Sequence, residues 1–118
     1  MHEMGIALEI IKIATASIPE DAHDARVRRI NLMVGKLSAV VPDSLRFCFD
    51  IAAKDTPLAG ADLVIEEVPV QIRCQACHAV WTVMQPVFQC QKCGSSTVTI
   101  ISGRELDIRS IEIEETNA

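Results

Sequence analysis

The chain of 118 residues has no apolar stretch approaching the ~20 residues that span a bilayer. Its longest runs, around Ile10-Ile11 and from Val98 to Ile101, fall well short of that, so no membrane partner is expected. Positive charge is also scarce. Eleven Lys and Arg face 16 Asp and Glu, for a net charge of -5, and Glu112, Glu114 and Glu115 make the C-terminal run acidic. Phosphate recognition needs a clustered excess of Lys and Arg, so no nucleic-acid partner is expected either. No signal-like segment precedes the first periodic element, which argues for a cytoplasmic protein and against a secreted, disulfide-framed one. About half the residues are hydrophobic (49%), enough for a core. The length suits one domain, or a compact domain carrying a small inserted module.

What is present in quantity is cysteine in pairs. Cys74-Gln75-Ala76-Cys77 is followed, after twelve residues, by Cys90-Gln91-Lys92-Cys93 and at once by Gly94. Each Cys-x-x-Cys turn points two sulfurs to one side, and two facing turns supply the tetrahedron that zinc prefers, with Zn–S bonds of roughly 2.3 Å. The intervening segment carries Trp81, Val83, Val87 and Phe88, enough for a small hairpin but not for a core, so metal binding has to supply its folding drive. A thioredoxin-like redox motif comes singly beside a βαβ unit, not twinned. With four thiolates filling all positions the site is closed, and zinc catalysis is not expected. Cys48, between Phe47 and Phe49, reads as a small core hydrophobe.

Elsewhere the periodicity is plain. Ile6, Ile10, Ile13 and Ser17, widened by Leu8 and Ile11, predict a helix running to about Ala16 or Ser17, ended by Pro19 and a polar loop. Ile30, Leu32 and Val34 alternate with Arg29, Asn31 and Met33 in a strand that Gly35 closes. Pro42 suits the first position of a second helix, with Asp43 in its first turn and Leu45, Cys48, Phe49 and Ala52 as its buried stripe. Leu63 to Val68 reads as a second strand and Glu105 to Glu114 as a third. In the third, Leu106 and Ile108 share one parity and Ile111 and Ile113 the other, which a bulge near Arg109-Ser110 reconciles. The expected fold class is α+β, of α/β type: a three-stranded sheet with two helices, plus an inserted zinc-ribbon-like four-cysteine module. The expected domains are 1–69 with 103–118, and 70–102.

With Met1-His2-Glu3 at one end and the paired Cys-x-x-Cys in the second half, the sequence resembles the HypA/HybF family of hydrogenase maturation proteins. The resemblance runs nearly the whole length, through Val34-Gly35-Lys36-Leu37, Pro42-Asp43-Ser44-Leu45-Arg46-Phe47-Cys48-Phe49, Gly60-Ala61-Asp62-Leu63, Cys93-Gly94-Ser95 and Gly103-Arg104-Glu105-Leu106. Gly5 departs from it, since the family usually has Ser there; glycine also serves at a helix N-cap. The resemblance implies a small nickel metallochaperone, not an enzyme, with a nickel domain and a zinc domain. It implies delivery of nickel to the large-subunit precursor of a nickel-iron hydrogenase. A nickel-handling accessory GTPase would be a further partner, and some members also serve urease, whose accessory proteins are therefore candidate partners. Zn(2+) would be structural at Cys74, Cys77, Cys90 and Cys93, and Ni(2+) the transported ion.

A histidine at a terminus is ordinarily a solvated residue, and the resemblance is what makes His2 a ligand. The chemistry agrees. The Met1 amine, the His2 amide nitrogen and His2 Nδ1 close one five-membered and one six-membered chelate ring, a nitrogen set suited to tetragonal Ni(II) or Cu(II). Glu3 is a further candidate through its amide or carboxylate. His23, in a polar loop, and His78, beside Cys77, are weaker candidates. Two other classes compete: a zinc-ribbon module for protein interaction or nucleic-acid binding, in which Met1-His2-Glu3 is incidental, and a thiol oxidoreductase. Zinc with exchangeable nickel, zinc alone, or a reversible disulfide without metal separates the three.

Overall fold

The structure, a computed structural model, describes residues 2–22 and 24–115. Among these the order of elements is α1 (Glu3–Ala16), β1 (Ala25–Gly35), a 3-10 turn (Lys36–Ser38), α2 (Pro42–Ala52), β2 (Asp62–Val68), β3 (Gln71–Cys74), β4 (Val80–Thr82), β5 (Val98–Ser102) and β6 (Leu106–Glu115). They form two three-stranded sheets, ordered β2-β1-β6 and β4-β3-β5. The chain divides into two compact units, one made of Met1–Met33, Ala39–Glu66 and Asp107–Ala118, the other of Val34–Ser38 and Glu67–Leu106.

In the first unit α1 and α2 pack on each other. The buried face of α1 is Ala7, Ile10, Ile11 and Ala14. It is turned from the predicted stripe: Leu8 and Ile13 are 54% and 45% exposed. Two alanines permit a close approach that larger side chains on that face would block, so isoleucine spacing alone misplaced the face. On α2, Pro42 opens the helix and Leu45 and Phe49 are fully buried. Cys48 and Ala52, predicted on the same stripe, are only half-buried. The α1 N-cap is His2, and Gly5 is the third residue inside the helix, so it caps nothing. Its missing side chain faces open space.

β1 lies at the centre of its sheet, and Ile30 and Leu32 are essentially inaccessible. Its buried parity changes along the strand: Ala25 and Val27 are buried, Arg28 and Arg29 are not, and burial resumes at Ile30. Polar groups fill the opposite face. Arg29 Nη1 donates to both carboxylate oxygens of Glu112 at 3.3 Å, and Asn31 Nδ2 donates to Ser110 Oγ at 2.9 Å and Glu112 Oε2 at 3.1 Å. Partners that descend on β6 as they rise on β1 indicate antiparallel pairing. Arg109 pairs with Glu66 at 3.3 Å. Arg109 and Ser110 are consecutive, yet both engage residues lining a single cleft on this face. Ile108 and Ile111, of opposite parity, are both half-buried, a pattern that an inserted residue at that point would produce.

The second unit has its own sheet. β3 is central and antiparallel to both neighbours, with Ile72 opposite Trp81 of β4 and Ile100 of β5. Ile72 is fully buried. The hairpin expected between the cysteine pairs is thus only partly there. β4 stops at Thr82, Val87 is 58% exposed, and the strands that complete the sheet lie before and after the pairs. Backbones approach closely where Gly35 meets Gly103. The Gly35 N–H donates to Glu105 O at 2.6 Å and the Leu37 N–H to Gly103 O at 2.7 Å. A Cβ on Gly35 would fall onto the Gly103 carbonyl, and Gly103 itself holds φ +116° with Val70 Cγ2 at 2.8 Å from where its Cβ would be.

Two stability effects follow. Gly5→Ala should stabilise the protein by about 0.5–1 kcal/mol in thermal denaturation, because it lowers the entropy cost of an interior helix position without a clash, whereas Gly35→Ala should destabilise by about 2 kcal/mol or more. The second concerns acid. Hydrogen bonding from Asn31, followed by the charges of Arg29 and Arg28, outweighs partial desolvation and holds Glu112 below its ordinary value of 4.5. A carboxyl that is more acidic when folded stabilises the fold above its unfolded pKa, and that contribution is lost as pH falls through the lowered folded value. Glu112→Gln should therefore flatten the acid limb of the stability–pH curve below about 4.5, and an unchanged limb would show that Glu112 does not contribute.

Candidate metal centre

The two Cys-x-x-Cys turns have one backbone plan. In the first, the Cys74 N–H donates to Ala79 O at 2.8 Å, the His78 N–H to Cys74 O at 2.9 Å, and the Cys77 N–H to Cys74 Sγ at 3.4 Å. In the second, the Cys90 N–H donates to Ser95 O at 2.8 Å, the Gly94 N–H to Cys90 O at 2.9 Å, and the Cys93 N–H to Cys90 Sγ at 3.4 Å. The residue after each second cysteine is left-handed, with φ +65° at His78 and +77° at Gly94. Glycine takes that conformation freely, and histidine is among the residues that tolerate it. His78 therefore occupies a turn position, and its side chain is exposed.

Facing each other, the turns bring all four Sγ atoms within 4.8 Å of one another. Cys74 and Cys93 are 3.5 Å apart at sulfur, as are Cys77 and Cys90. Four sulfurs about 2.3 Å from one central ion would sit roughly 3.8 Å apart at the corners of a tetrahedron, so the cluster has the dimensions of a tetrathiolate site. All four cysteines are free thiols; Cys74 and Cys90 are buried, Cys77 and Cys93 exposed. Cys48 is not part of the cluster.

Hydrogen bonds divide the four into two kinds. The Cys77 N–H lowers Cys74 below the ordinary 9.0, and the Cys93 N–H takes Cys90 down to about 6. Cys77 and Cys93 shift the other way. The bond at Ala79 favours the Cys77 thiolate but is outweighed by Cys90, burial and Cys74. The bond at Ser95 is likewise outweighed by Cys74, burial and the other two thiols, which carry Cys93 up to about 12. Four anions this close repel one another, and a divalent cation in their midst reverses the balance and deprotonates them all. A reversible two-cysteine redox couple requires none of this fourfold convergence.

The remaining predicted ligands lie at the head of α1. His2 has extended backbone (φ -86°, ψ 103°), is exposed, and makes no side-chain capping bond. Glu3 begins the helix half-buried, and its Oε1 accepts from Ser44 Oγ of α2 at 3.4 Å. Sequence reasoning missed Ser44, because nothing in local periodicity links residues 3 and 44. Met1 and His23 lie outside the described residues. No helix among the described residues is long and apolar enough to cross a membrane.

Comparison with known proteins places these features in context. Residues 1–113 match the family described as "Hydrogenase/urease nickel incorporation, metallochaperone, hypA". The chain is 56% identical over 115 residues to hydrogenase maturation factor HypA of Desulfosudis oleivorans, covering 98% of this chain and 100% of that protein. It is 54% identical over 115 residues to the protein of that name from Desulfatibacillum aliphaticivorans, covering 98% and 88% respectively. Its fold is similar to the solution structure of the Ni metallochaperone HypA from Helicobacter pylori, with TM-score 0.66, 21% identity, and coverage of 98% of this chain and 100% of that one.

Cys74→Ala and Cys93→Ala should each lose the tightly bound divalent metal in elemental analysis and lose amide protection in the second unit, while the helices of the first unit persist. Cys48→Ala should retain full metal content. Metal loss in Cys48→Ala would move that residue into the site and overturn the ligand assignment.

Proposed function

The chain belongs to the HypA family of hydrogenase/urease nickel-incorporation metallochaperones, and from that premise we propose that it carries nickel at its first residues and zinc in its tetrathiolate cluster. It is a nickel metallochaperone of hydrogenase maturation. In this reading His2 supplies its amide nitrogen and Nδ1, Met1 its amine, and Glu3 a further donor. The observation that carries the reading is the uncapped, exposed His2 at the head of α1. An imidazole bonded to its own helix would have to break that bond to take a metal, and this one has none to break. Nitrogen donors of this type suit Ni(II).

Zinc fits the other site for the opposite reason. Tetrahedral thiolate coordination leaves no open position for water or substrate, which is the arrangement of a structural ion. The second unit is small, with Ile72 as its fully buried aliphatic side chain, so a metal cross-link contributes stability that its own core lacks. The protein thus acts as a carrier and not as a catalyst, the first unit holding the cargo and the second held together by zinc. Its partners are a nickel-handling GTPase, the large-subunit precursor of a nickel-iron hydrogenase, and urease accessory proteins. Its place of work is the cytoplasm.

His2→Ala should abolish specific nickel binding in equilibrium dialysis with zinc content and fold intact. An uncleaved N-terminal extension should do nearly the same with His2 unchanged, because it converts the amine into a peptide nitrogen and removes one chelate ring. Equal nickel binding by the extended and native forms would delete the amine from the ligand set. Unchanged binding in His2→Ala would end the assignment of nickel to this end of the chain.

A further inference from the structure

The start of α1 is held from the side. Ser44 is the third residue of α2, and its hydroxyl donates across the helix pair to Glu3 Oε1. Both residues are half-buried, and the two helices pack together. Glu3 is the acidic residue of α1's first turn and immediately follows His2, whose side chain takes no part in capping that helix. Without a cap the head of α1 has no side chain of its own N-cap to fix it. The contact from Ser44 reaches its first residue from another element.

That contact engages one carboxylate oxygen and leaves Oε2 outside it. Two roles are open to such a bond: it can merely pin two helices together, or it can select the rotamer in which the second oxygen serves the neighbouring His2. At 3.4 Å it is long for an O–H···O bond, a poor distance for a purely structural clamp. Hydrogen bonds at unfilled functional sites are often long and tighten once the ligand is in place. We propose that Ser44 is a positioning residue for the nickel site, holding the Glu3 carboxylate so that Oε2 and the His2 nitrogens serve one divalent ion. The inference rests on the reading that nickel binds at residues 2 and 3.

The test uses the full zinc-loaded chain and nickel alone as the probe, reading affinity by calorimetry and the ligand-field absorption of bound Ni(II). Ser44→Ala should weaken nickel binding about three- to tenfold, the range of one modest hydrogen bond, and shift the absorption, with zinc content and melting unchanged. Ser44→Thr, which keeps the hydroxyl, should restore both. In E3Q the clamp survives but the anionic donor is gone, so E3Q/S44A should bind no more weakly than E3Q. Native affinity and absorption in S44A, or losses that multiply in the double variant, would reduce Ser44 to helix packing. In that case loss of nickel in H2A would still uphold the underlying site. Native nickel binding in H2A would overturn both together.

Discussion

Four sulfur atoms within 4.8 Å of one another cannot all carry negative charge unless a cation lies among them. The second unit is arranged around that constraint. Each Cys-x-x-Cys turn spends a backbone N–H on its first sulfur, lowering the thiols of Cys74 and Cys90, while the second cysteine of each turn is pushed up by its neighbours. Backbone amides favour the thiolate at all four cysteines, but at Cys77 and Cys93 the neighbouring sulfurs and burial outweigh them, and a cation among the four would reverse that balance. β3 ends in Cys74, so the same strand that centres the small sheet also delivers a ligand.

The head of α1 is built on a contrary plan. In the cysteine cluster Cys74 and Cys90 are buried, and four thiolates would leave a bound ion no open position, which favours retention. His2 is exposed, precedes the first helical turn, and its side chain makes no capping bond that it would have to give up. A ligand set on such a site exchanges with solvent and with other donors more readily. On the proposed reading, retention and release would fall to chemically different donors, sulfur in the one case and nitrogen with carboxylate in the other.

Backbone approach contributes a second constraint within the cysteine-bearing unit. A side chain at Gly35 would strike the Gly103 backbone, one at Gly103 would strike Val70, and the N–H groups of Gly35 and Leu37 reach Glu105 O and Gly103 O. The Gly103 N–H in turn donates to Glu105 Oε1 at 2.6 Å. Hydrogen bonds here take the place of apolar burial, which a unit this small can supply only sparingly.

Much of this was legible from residue order because it depends on local rules. Cysteine spacing determined the tetrathiolate cluster, since a Cys-x-x-Cys turn orients its sulfurs by its own backbone. Pro42 determined where α2 begins, and two-residue alternation determined that β1 buries Ile30 and Leu32. Tertiary structure decided the rest, where partners distant in sequence compete for the same surface. It turned α1 onto Ala7 and Ala14 in place of Leu8 and Ile13, because helix–helix approach rewards small residues that hydrophobicity ranks low. It put β3 and β5 outside the segment between the cysteine pairs, because a sheet pairs strands by space and not by order. And it brought Ser44 to Glu3, a contact between residues 41 positions apart that no periodicity could announce.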